Sequence, residues 1–485
     1  MRTQIEFGLG NRAARRRSAG EPLRVLVLGD FTGRSQTPAA LSARRVELDD
    51  FDAAIGALAP VVPIATDDGK PLARIAITEL GYLHPDHLAV TVPHLRELLE
   101  LDRALRDPRT EKQALAILDS VAGPSKTTQA PAAPAGTGGD NRDESSDELL
   151  GRLLGAARRE DAGERAAKAR VKQLIDSALG SAVSAGSSSQ AVDGRARLAR
   201  LFNDRCRRIL LDPRFRSVER AWRSVHWLAS RLEGDEAHLY VADLSKEALA
   251  GHVAEVGQNL DASPLRRLLA RDADDRWDLI VGDYSFALTA EDVTLLATLG
   301  ALAARARAPF LAHGELGLAG CARVEDVDAP WDWRYADSDL AALWNELRGH
   351  PAAQWLGLAT PRFLLRLPYG SKADAIERFE FEELPVRPQR ERFLWGNPAF
   401  ACALLIASAH ARGDGASWPN GGGNVDDLPM PVYSDGGGEA VQPPIELVLG
   451  ERARATATER GLIALAGGSN ANRISVPSTR SLASG

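Results

Sequence analysis

The chain has 485 residues, of which 44% are hydrophobic and 26% charged, and this composition is typical of globular proteins rather than disordered ones. Its formal net charge of −7 argues against a general nucleic-acid binder, which needs a basic surface to neutralise phosphates. The three cysteines form no C-x-x-C pair, which argues against a disulfide framework and favours a reducing cytoplasm. The longest apolar run is cut by Arg305 and Arg307, so no membrane insertion is predicted.

Polar segments of small residues divide the chain. Apart from its prolines, residues 123–146 have no apolar side chain larger than alanine. This composition predicts a flexible linker because such a segment buries too little surface to offset its ordering entropy. The linker separates a small domain at 1–122 from a helical segment and second linker at 147–192. A larger domain follows at 193–450, and its C-terminal segment occupies 451–485.

Both strands and helices are predicted in the first domain. Ile5, Phe7 and Leu9 alternate with polar residues, as in a strand with one buried face. The segment "LRVLVLGDF" is an apolar run typical of a central strand, and "ARIAIT" predicts another. Helices are predicted at "DDFDAAIGAL" and "VPHLRELLELDRALRD".

Beyond the linker, Ser145 and Glu148 fit a capping box before a narrow stripe of leucines. Helices and strands then alternate, with predicted strands at "AHLYVADL", "WDLIVGDYSF" and "APFLAHG". This alternation predicts an α/β fold, mixed with α+β features, in which mixed sheets are flanked by helices.

The stretch "PRFLLRLPYGSK" ends like a phosphate-binding loop. A P-loop, however, has glycine five residues before the second glycine and lysine directly after it. Here Leu365 precedes Gly370 by five residues, and Ser371 stands between Gly370 and Lys372. A turn after a buried segment is the better interpretation, and a nucleotide-utilising α/β enzyme remains the alternative.

Three further groups of residues are candidate binding sites. His84, Asp86 and His87 in "LHPDHL" could bind a metal, but a closed site needs more convergent ligands, and the proline favours a surface turn. The arginines of "RAARRR" predict either a solvated loop or a dock for an acidic partner. The tryptophans of the second domain, many beside arginine, fit either a core or a recognition surface.

The later phrases resemble, in order, the large subunit (TssC/VipB/EvpB/ImpC-like) of the type VI secretion contractile sheath. They are "LLDPRFRSVERAWRSVHWLASR", "WNELRGHPAAQWLGLATPRFLLRLPYG", "FLWGNPAFACALLIASA" and "NGGGNVDDLPMPVY". The first domain is similar to the small subunit (TssB/VipA/ImpB-like), on "RTQIEFGL", "LRVLVLGDFTGR" and "RRVELDDFDAAIGALAP". The chain therefore resembles a fusion of both subunits, with domains like those of a contractile phage-tail sheath.

This resemblance implies a structural protein without catalytic residues, cofactor or metal. Its copies would polymerise into a helical tube around an inner tube and contract to propel it. In the family, neighbouring copies are linked by exchanged strands. The corresponding candidates here are Gln4, Ile5, Glu6, Phe7 and Leu9 at one end, and Ile445, Leu447, Val448, Ile474 and Val476 at the other.

The implied partners are other copies of the chain, an Hcp-like inner-tube protein, baseplate proteins and a ClpV-like disassembly ATPase. A helix carrying Leu149, Leu150, Leu153 and Leu154 would be recognised by that ATPase, although the same stripe could pack on its own domain. The C-terminal "SNANRISVPSTRSLASG" lacks the acidic and aromatic residues usual in the family. The resemblance implies a bacterial cytoplasmic protein docked to an envelope-anchored apparatus, with a non-polymerising baseplate or scaffold protein as a further alternative.

Overall fold

Strand β1 (Leu23–Gly29) forms where the first domain has its apolar run, and all of its residues except Arg24 are buried. The structure is a computed structural model, and it describes residues 21–34, 41–65, 71–122, 189–232, 236–256, 264–269, 271, 275–384, 388–413, 418, 422–434 and 436–483. The other elements before residue 123 are β2 (Arg44–Val46), α1 (Phe51–Leu58), β3 (Val61–Ala65), β4 (Pro71–Ala76), α2 (Pro85–Thr91), α3 (Pro93–Arg106) and α4 (Glu111–Ala122).

The described part of the chain after residue 188 alternates helices and strands before ending in short strands. The elements are α5 (Ser189–Leu211), α6 (Pro213–Ala229), β5 (Ala237–Asp243), α7 (Lys246–Val256), α8 (Pro264–Leu269), β6 (Leu279–Phe286), α9 (Ala290–Ala306), β7 (Phe310–Gly314), α10 (Ser338–Gly349), β8 (Leu356–Thr360), β9 (Phe363–Leu364), β10 (Trp395–Gly396), α11 (Pro398–Ala411), β11 (Gly423–Val425), β12 (Val432–Ser434), β13 (Glu439–Val441), α12 (Glu451–Glu459), β14 (Leu462–Ala464), β15 (Ala466–Gly467) and β16 (Ile474–Val476).

A seven-stranded sheet forms the centre, in the order β14-β8-β7-β6-β1-β5-β2. Its neighbouring strands are parallel except for β2, which runs antiparallel to β5 at the edge. Helix α11 is apolar all round and nearly all of its residues are buried, as expected of a helix enclosed by the core. This arrangement confirms the predicted α/β fold.

Strand β1 comes from the first domain, yet both of its neighbours come from the second. Leu23 pairs with Ala237 of β5, and Val25 pairs with Leu279 of β6. The N-terminal region therefore contributes a central strand to the sheet that the later region builds.

The described chain forms two compact units, one of Met1–Leu95 with Asn203–Gly485 and the other of Arg96–Phe202. The large sheet belongs to the first unit. In the second, α4 and α5 pack so closely at Gly194 that a Cβ there would lie 2.6 Å from Cδ2 of Leu115. Arg197 and Asp119 form an ion pair at 2.8 Å between the same helices.

The predicted strands "LRVLVLGDF", "AHLYVADL", "WDLIVGDYSF" and "APFLAHG" are confirmed as β1, β5, β6 and β7. The interpretation of "LHPDHL" as an irregular turn was wrong. Helix α2 begins there because His84 accepts a hydrogen bond from the Asp86 backbone N–H at 3.2 Å and Pro85 occupies the first turn, where a missing N–H costs nothing. Within the described ranges, we find no helix with the length and apolar character that a membrane crossing requires.

Candidate functional site

The junction between β1 and the later region is the first candidate site. At the carboxyl end of β1, the backbone N–H groups of Phe31 and Thr32 donate to Oδ1 of Asp243 at 2.9 and 3.1 Å. Oγ1 of Thr32 donates to Oδ2 of the same carboxylate at 2.6 Å. Asp243 ends β5, so three hydrogen bonds fix the first region to the second at this point.

Asp30 lies beside that carboxylate and accepts a hydrogen bond from the Gly33 backbone N–H at 2.8 Å. Burial raises the pKa of Asp30 to about 6; the Gly33 hydrogen bond opposes this, and the charge of Asp243 adds to it. On the neighbouring strand β6, the almost fully buried Asp283 accepts a hydrogen bond from Nε of Arg220 at 3.1 Å. Carboxylates from three adjacent strands, β5, β1 and β6, therefore lie near one another toward the carboxyl ends of these strands.

The Asp30→Asn substitution is expected to stabilise the protein at pH 7 by about 3 kcal/mol, since the pKa of Asp30 is raised from 3.8 to about 6 and each unit of pKa shift corresponds to ~1.4 kcal/mol. An acid whose folded pKa is raised binds its proton more tightly when folded, so the free energy of unfolding falls as the pH rises from about 4 to about 6. Asparagine removes this pH dependence and keeps an oxygen for Gly33. Urea unfolding at several pH values measures the free energy of unfolding of both chains, and Asp49→Asn, at an exposed residue, is the control. Equal unfolding profiles for Asp30→Asn and the parent chain would contradict the expectation.

Helix α6 covers the same junction through Trp222. The indole Nε1 donates to the Phe31 carbonyl oxygen at 2.9 Å, and the Trp222 ring lies edge-on to Phe31 and Phe51 at centroid distances of 5.0 and 5.8 Å. Trp222 is fully buried. The junction is thus a packed core and leaves no open cleft around this tryptophan.

The stretch "PRFLLRLPYGSK" holds a buried charge network. The guanidinium of Arg366 forms ion pairs with Glu219 at 2.8 Å and with Glu383 at 2.7 Å, and both carboxylates are almost completely buried. Burial acts to raise the pKa of Glu219, but Arg366 and Arg223 outweigh it and hold that pKa below its ordinary value. The hydroxyl of Tyr369 accepts from Arg223 at 2.7 Å and extends the network.

The phosphate-loop-like end of this stretch is occupied by carboxylates. Ser371 donates through its backbone N–H to Glu382 at 3.0 Å, and Lys372 pairs with Glu439. Gly370 has φ +158, and a Cβ there would meet Glu382. A phosphate would meet negative charge at this turn, which is unfavourable. In the segment that was predicted to be buried before this turn, Leu364 and Leu365 are buried and Leu367 is half-buried.

The histidine-containing segment is used for packing. His84 caps α2 and lies edge-on to Tyr369 at 4.9 Å, and His87 stacks on Tyr82 at 3.6 Å. Asp86 accepts hydrogen bonds from the backbone N–H groups of Glu377 and Arg378, each at 3.0 Å. In the described ranges, no three His, Cys, Asp or Glu side chains are placed to share a metal ion.

The C-terminal residues predicted for strand exchange lie in two places. Ile474 and Val476 are buried in β16, which is the middle strand of a three-stranded sheet, β11-β16-β15. Ile445 is buried too and forms an antiparallel bridge with Phe363 of β9. Leu447 is half-buried against the main core.

Val448 alone among these five C-terminal candidates is exposed. The structure does not bring the two groups of candidates into one continuous strand. The candidates Gln4, Ile5, Glu6, Phe7 and Leu9 lie outside the described residues, as do Leu149, Leu150, Leu153 and Leu154.

Comparison with known proteins gives two family matches, one in each region. Residues 195–483 match the family model described as "EvpB/VC_A0108, tail sheath N-terminal domain". Residues 2–119 match the model described as "Type VI secretion system, VipA, VC_A0107 or Hcp2". The chain is also 30% identical, over 263 residues, to the type VI secretion system sheath protein TssC1 of Pseudomonas aeruginosa. That match covers 52% of this chain and 53% of the relative, so the chain spans about half of the relative's length.

Proposed function

We propose that this chain, which belongs to the EvpB tail-sheath family, polymerises by strand exchange into a contractile tube. It is a type VI secretion sheath component in which a VipA-like and a VipB-like region are fused. Contraction of that tube would propel an inner tube of Hcp-like protein. The observation that supports this best is the position of β1 between β5 and β6. Because the two sheath regions share one sheet, a single polypeptide supplies a whole building unit.

Strand exchange requires an acceptor edge, and we place it on the C-terminal three-stranded sheet. Both edges of β16 are hydrogen-bonded within the chain, so within this sheet a strand from a neighbouring copy would add to the outer edge of β11 or of β15. Residues 4–9 are the proposed donor. A heterologous contact of this kind, repeated without closing into a ring, would build a helical filament.

The remaining roles follow from the same proposal. Work would come from the rearrangement of many copies, so we assign the chain no catalytic role. Baseplate proteins and a ClpV-like ATPase are proposed as partners, with residues 149–154 as the ATPase's recognition segment. The proposed location is the bacterial cytoplasm, docked to an envelope-anchored apparatus.

Proline substitutions in the donor segment are expected to abolish tubes while leaving the folded unit intact. Proline lacks the N–H that strand addition requires, so Ile5→Pro and Phe7→Pro should each prevent the exchange. Negative-stain electron microscopy of the purified chain with its inner-tube protein measures tube yield, and circular dichroism checks folding. Ala19→Pro, outside the donor segment, is the matched control. Tubes of normal yield from both donor variants would contradict exchange from this end.

A further inference from the structure

Trp331 differs from the other tryptophans of the later region because its side chain is 59% exposed, whereas Trp222, Trp333 and Trp344 are buried. It lies in a loop of two short 3-10 helical turns, residues 324–332, which we call the Trp331 surface. Val327 and Pro330 of this loop are buried, and its other residues are exposed or half-buried. Val324 of the same loop is also exposed. Exposed tryptophans carry much of the binding energy at protein interfaces.

The Trp331 surface is held on a rigid base. Nε1 of the buried Trp333 donates to the Asp326 carbonyl oxygen at 2.8 Å, and Arg334 donates to the Trp331 carbonyl oxygen at 2.8 Å. The Asp332 backbone N–H donates to the Ala329 carbonyl oxygen at 2.9 Å. A preorganised surface loses little entropy when a partner binds.

The surface is also acidic. Residues 324–332 contain four carboxylates and no lysine or arginine, and the nearest arginines in the sequence are Arg323 and Arg334. Arg323 is already paired with Asp326 at 3.0 Å, and Arg334 donates to backbone carbonyls. Asp328 and Asp332 are exposed and form no ion pair with another described residue. An aromatic ring among carboxylates suits a guanidinium, which stacks on the ring and pairs with the acids.

The chain itself contains an arginine-rich segment, with four arginines at positions 12, 15, 16 and 17. Only five residues lie between Arg17 and Leu23, the first residue of β1, so this connection reaches at most about 20 Å. The residues beneath the Trp331 surface are hydrogen-bonded to the β14 edge of the large sheet. Arg460, next to β14, donates to the carbonyl oxygens of Ala319 and Trp333. Four strand spacings separate β1 from β14, about 19 Å.

The connection is therefore long enough for contact within one subunit or between two. The proposed exchange of residues 4–9 into a neighbouring copy favours contact between two, because it carries the adjoining residues 12–17 to that neighbour. We propose that the Trp331 surface binds the arginine-rich segment 12–17 of a neighbouring copy of this chain. This inference rests on the proposed assembly of many copies. It places a salt-sensitive contact next to the donor strand, where it would guide the approach of that strand.

Binding of a labelled synthetic peptide of residues 10–20 tests the inference without requiring tubes. Fluorescence anisotropy is measured against the full chain in which the four arginines are replaced by alanine, so that its own segment cannot compete. We expect saturable binding that weakens with salt and falls about tenfold with Trp331→Ala or with Asp328→Lys and Asp332→Lys together. Leu48→Ala, at an exposed residue of the first region, is the control and should change nothing. Absent binding, or binding insensitive to these changes, would overturn the inference.

A cross-linking experiment separates contact between copies from contact within one. Two differently tagged full chains are mixed, one carrying Arg16→Cys and the other Asp328→Cys, and the native cysteines are buried. A disulfide joining the two tags is expected. If a chain carrying both substitutions forms only the internal disulfide, the neighbouring-copy contact is wrong. If the peptide binds as expected but the protein forms no tubes, the contact is supported and only the proposed polymerisation is contradicted.

Discussion

Replacing Arg366 with methionine is expected to destabilise the protein by about 3–5 kcal/mol, the usual cost of removing one partner from a buried ion pair. Methionine fills most of the side-chain volume but leaves the carboxylates of Glu219 and Glu383 buried without their main cation. Arg223 still pairs with Glu219 at 2.8 Å, but Glu383 loses Arg366, its one ion-pair partner among the described residues. The loss therefore concentrates on Glu383.

Denaturant unfolding followed by circular dichroism measures this loss. Lys372→Met is the matched control, because it removes a cation from the same stretch whose pair with Glu439 lies at the surface, and the unfolding midpoint should stay unchanged. The triple variant Glu219→Gln, Glu383→Gln, Arg366→Met should recover part of the stability, since no buried carboxylate is then left without a cation. An Arg366→Met chain with the parent's midpoint would refute the assigned role of the network.

Trp222→Ala should destabilise the protein by a similar amount, about 3–5 kcal/mol, because it leaves a cavity at the junction of the two sheath regions. The indole packs on Phe31 and Phe51 of the first region while its own helix belongs to the second. We expect the loss to loosen β1 in particular. Hydrogen exchange of the β1 amides, compared with those of β8, would locate the effect.

Trp222→Phe separates packing from hydrogen bonding at the same position. Phenylalanine retains most of the apolar contact but cannot donate to the Phe31 carbonyl oxygen, which costs about 1–3 kcal/mol for an unsatisfied buried acceptor. Trp331→Ala is the control for tryptophan removal at the surface and should shift the unfolding midpoint little. Equal stability of Trp222→Ala and Trp331→Ala would contradict the assigned role.

Local patterns in the sequence were enough to locate many helices and strands. The apolar runs of β1, β6 and β7, and the 3.6-residue period of α3, need no knowledge of distant residues. The family resemblance rested on short sequence segments as well, and the two family matches confirmed it. Strand partners are a different matter, because nothing within "LRVLVLGDF" specifies pairing with Ala237.

The buried charge network was missed for the same reason. Arg366 appears in the sequence as one charge in an apolar stretch, and Glu219 is 147 positions away on helix α6. The alternation of Leu365, Arg366 and Leu367 gives no sign that the guanidinium points inward. Two cues were present, a bulky cation between leucines and the acidic pair at Glu382 and Glu383, but their meaning depends on the tertiary structure.

The order of strands in the large sheet has a consequence for synthesis on the ribosome. Strand β1 is translated early, but its partners β5 and β6 follow only after roughly 200 residues, a delay of about 10–40 s at ordinary elongation rates. During that time, an apolar strand with both hydrogen-bonding edges free would be prone to aggregate. Nascent chains of this protein are therefore expected to need chaperone protection until Phe286 has emerged.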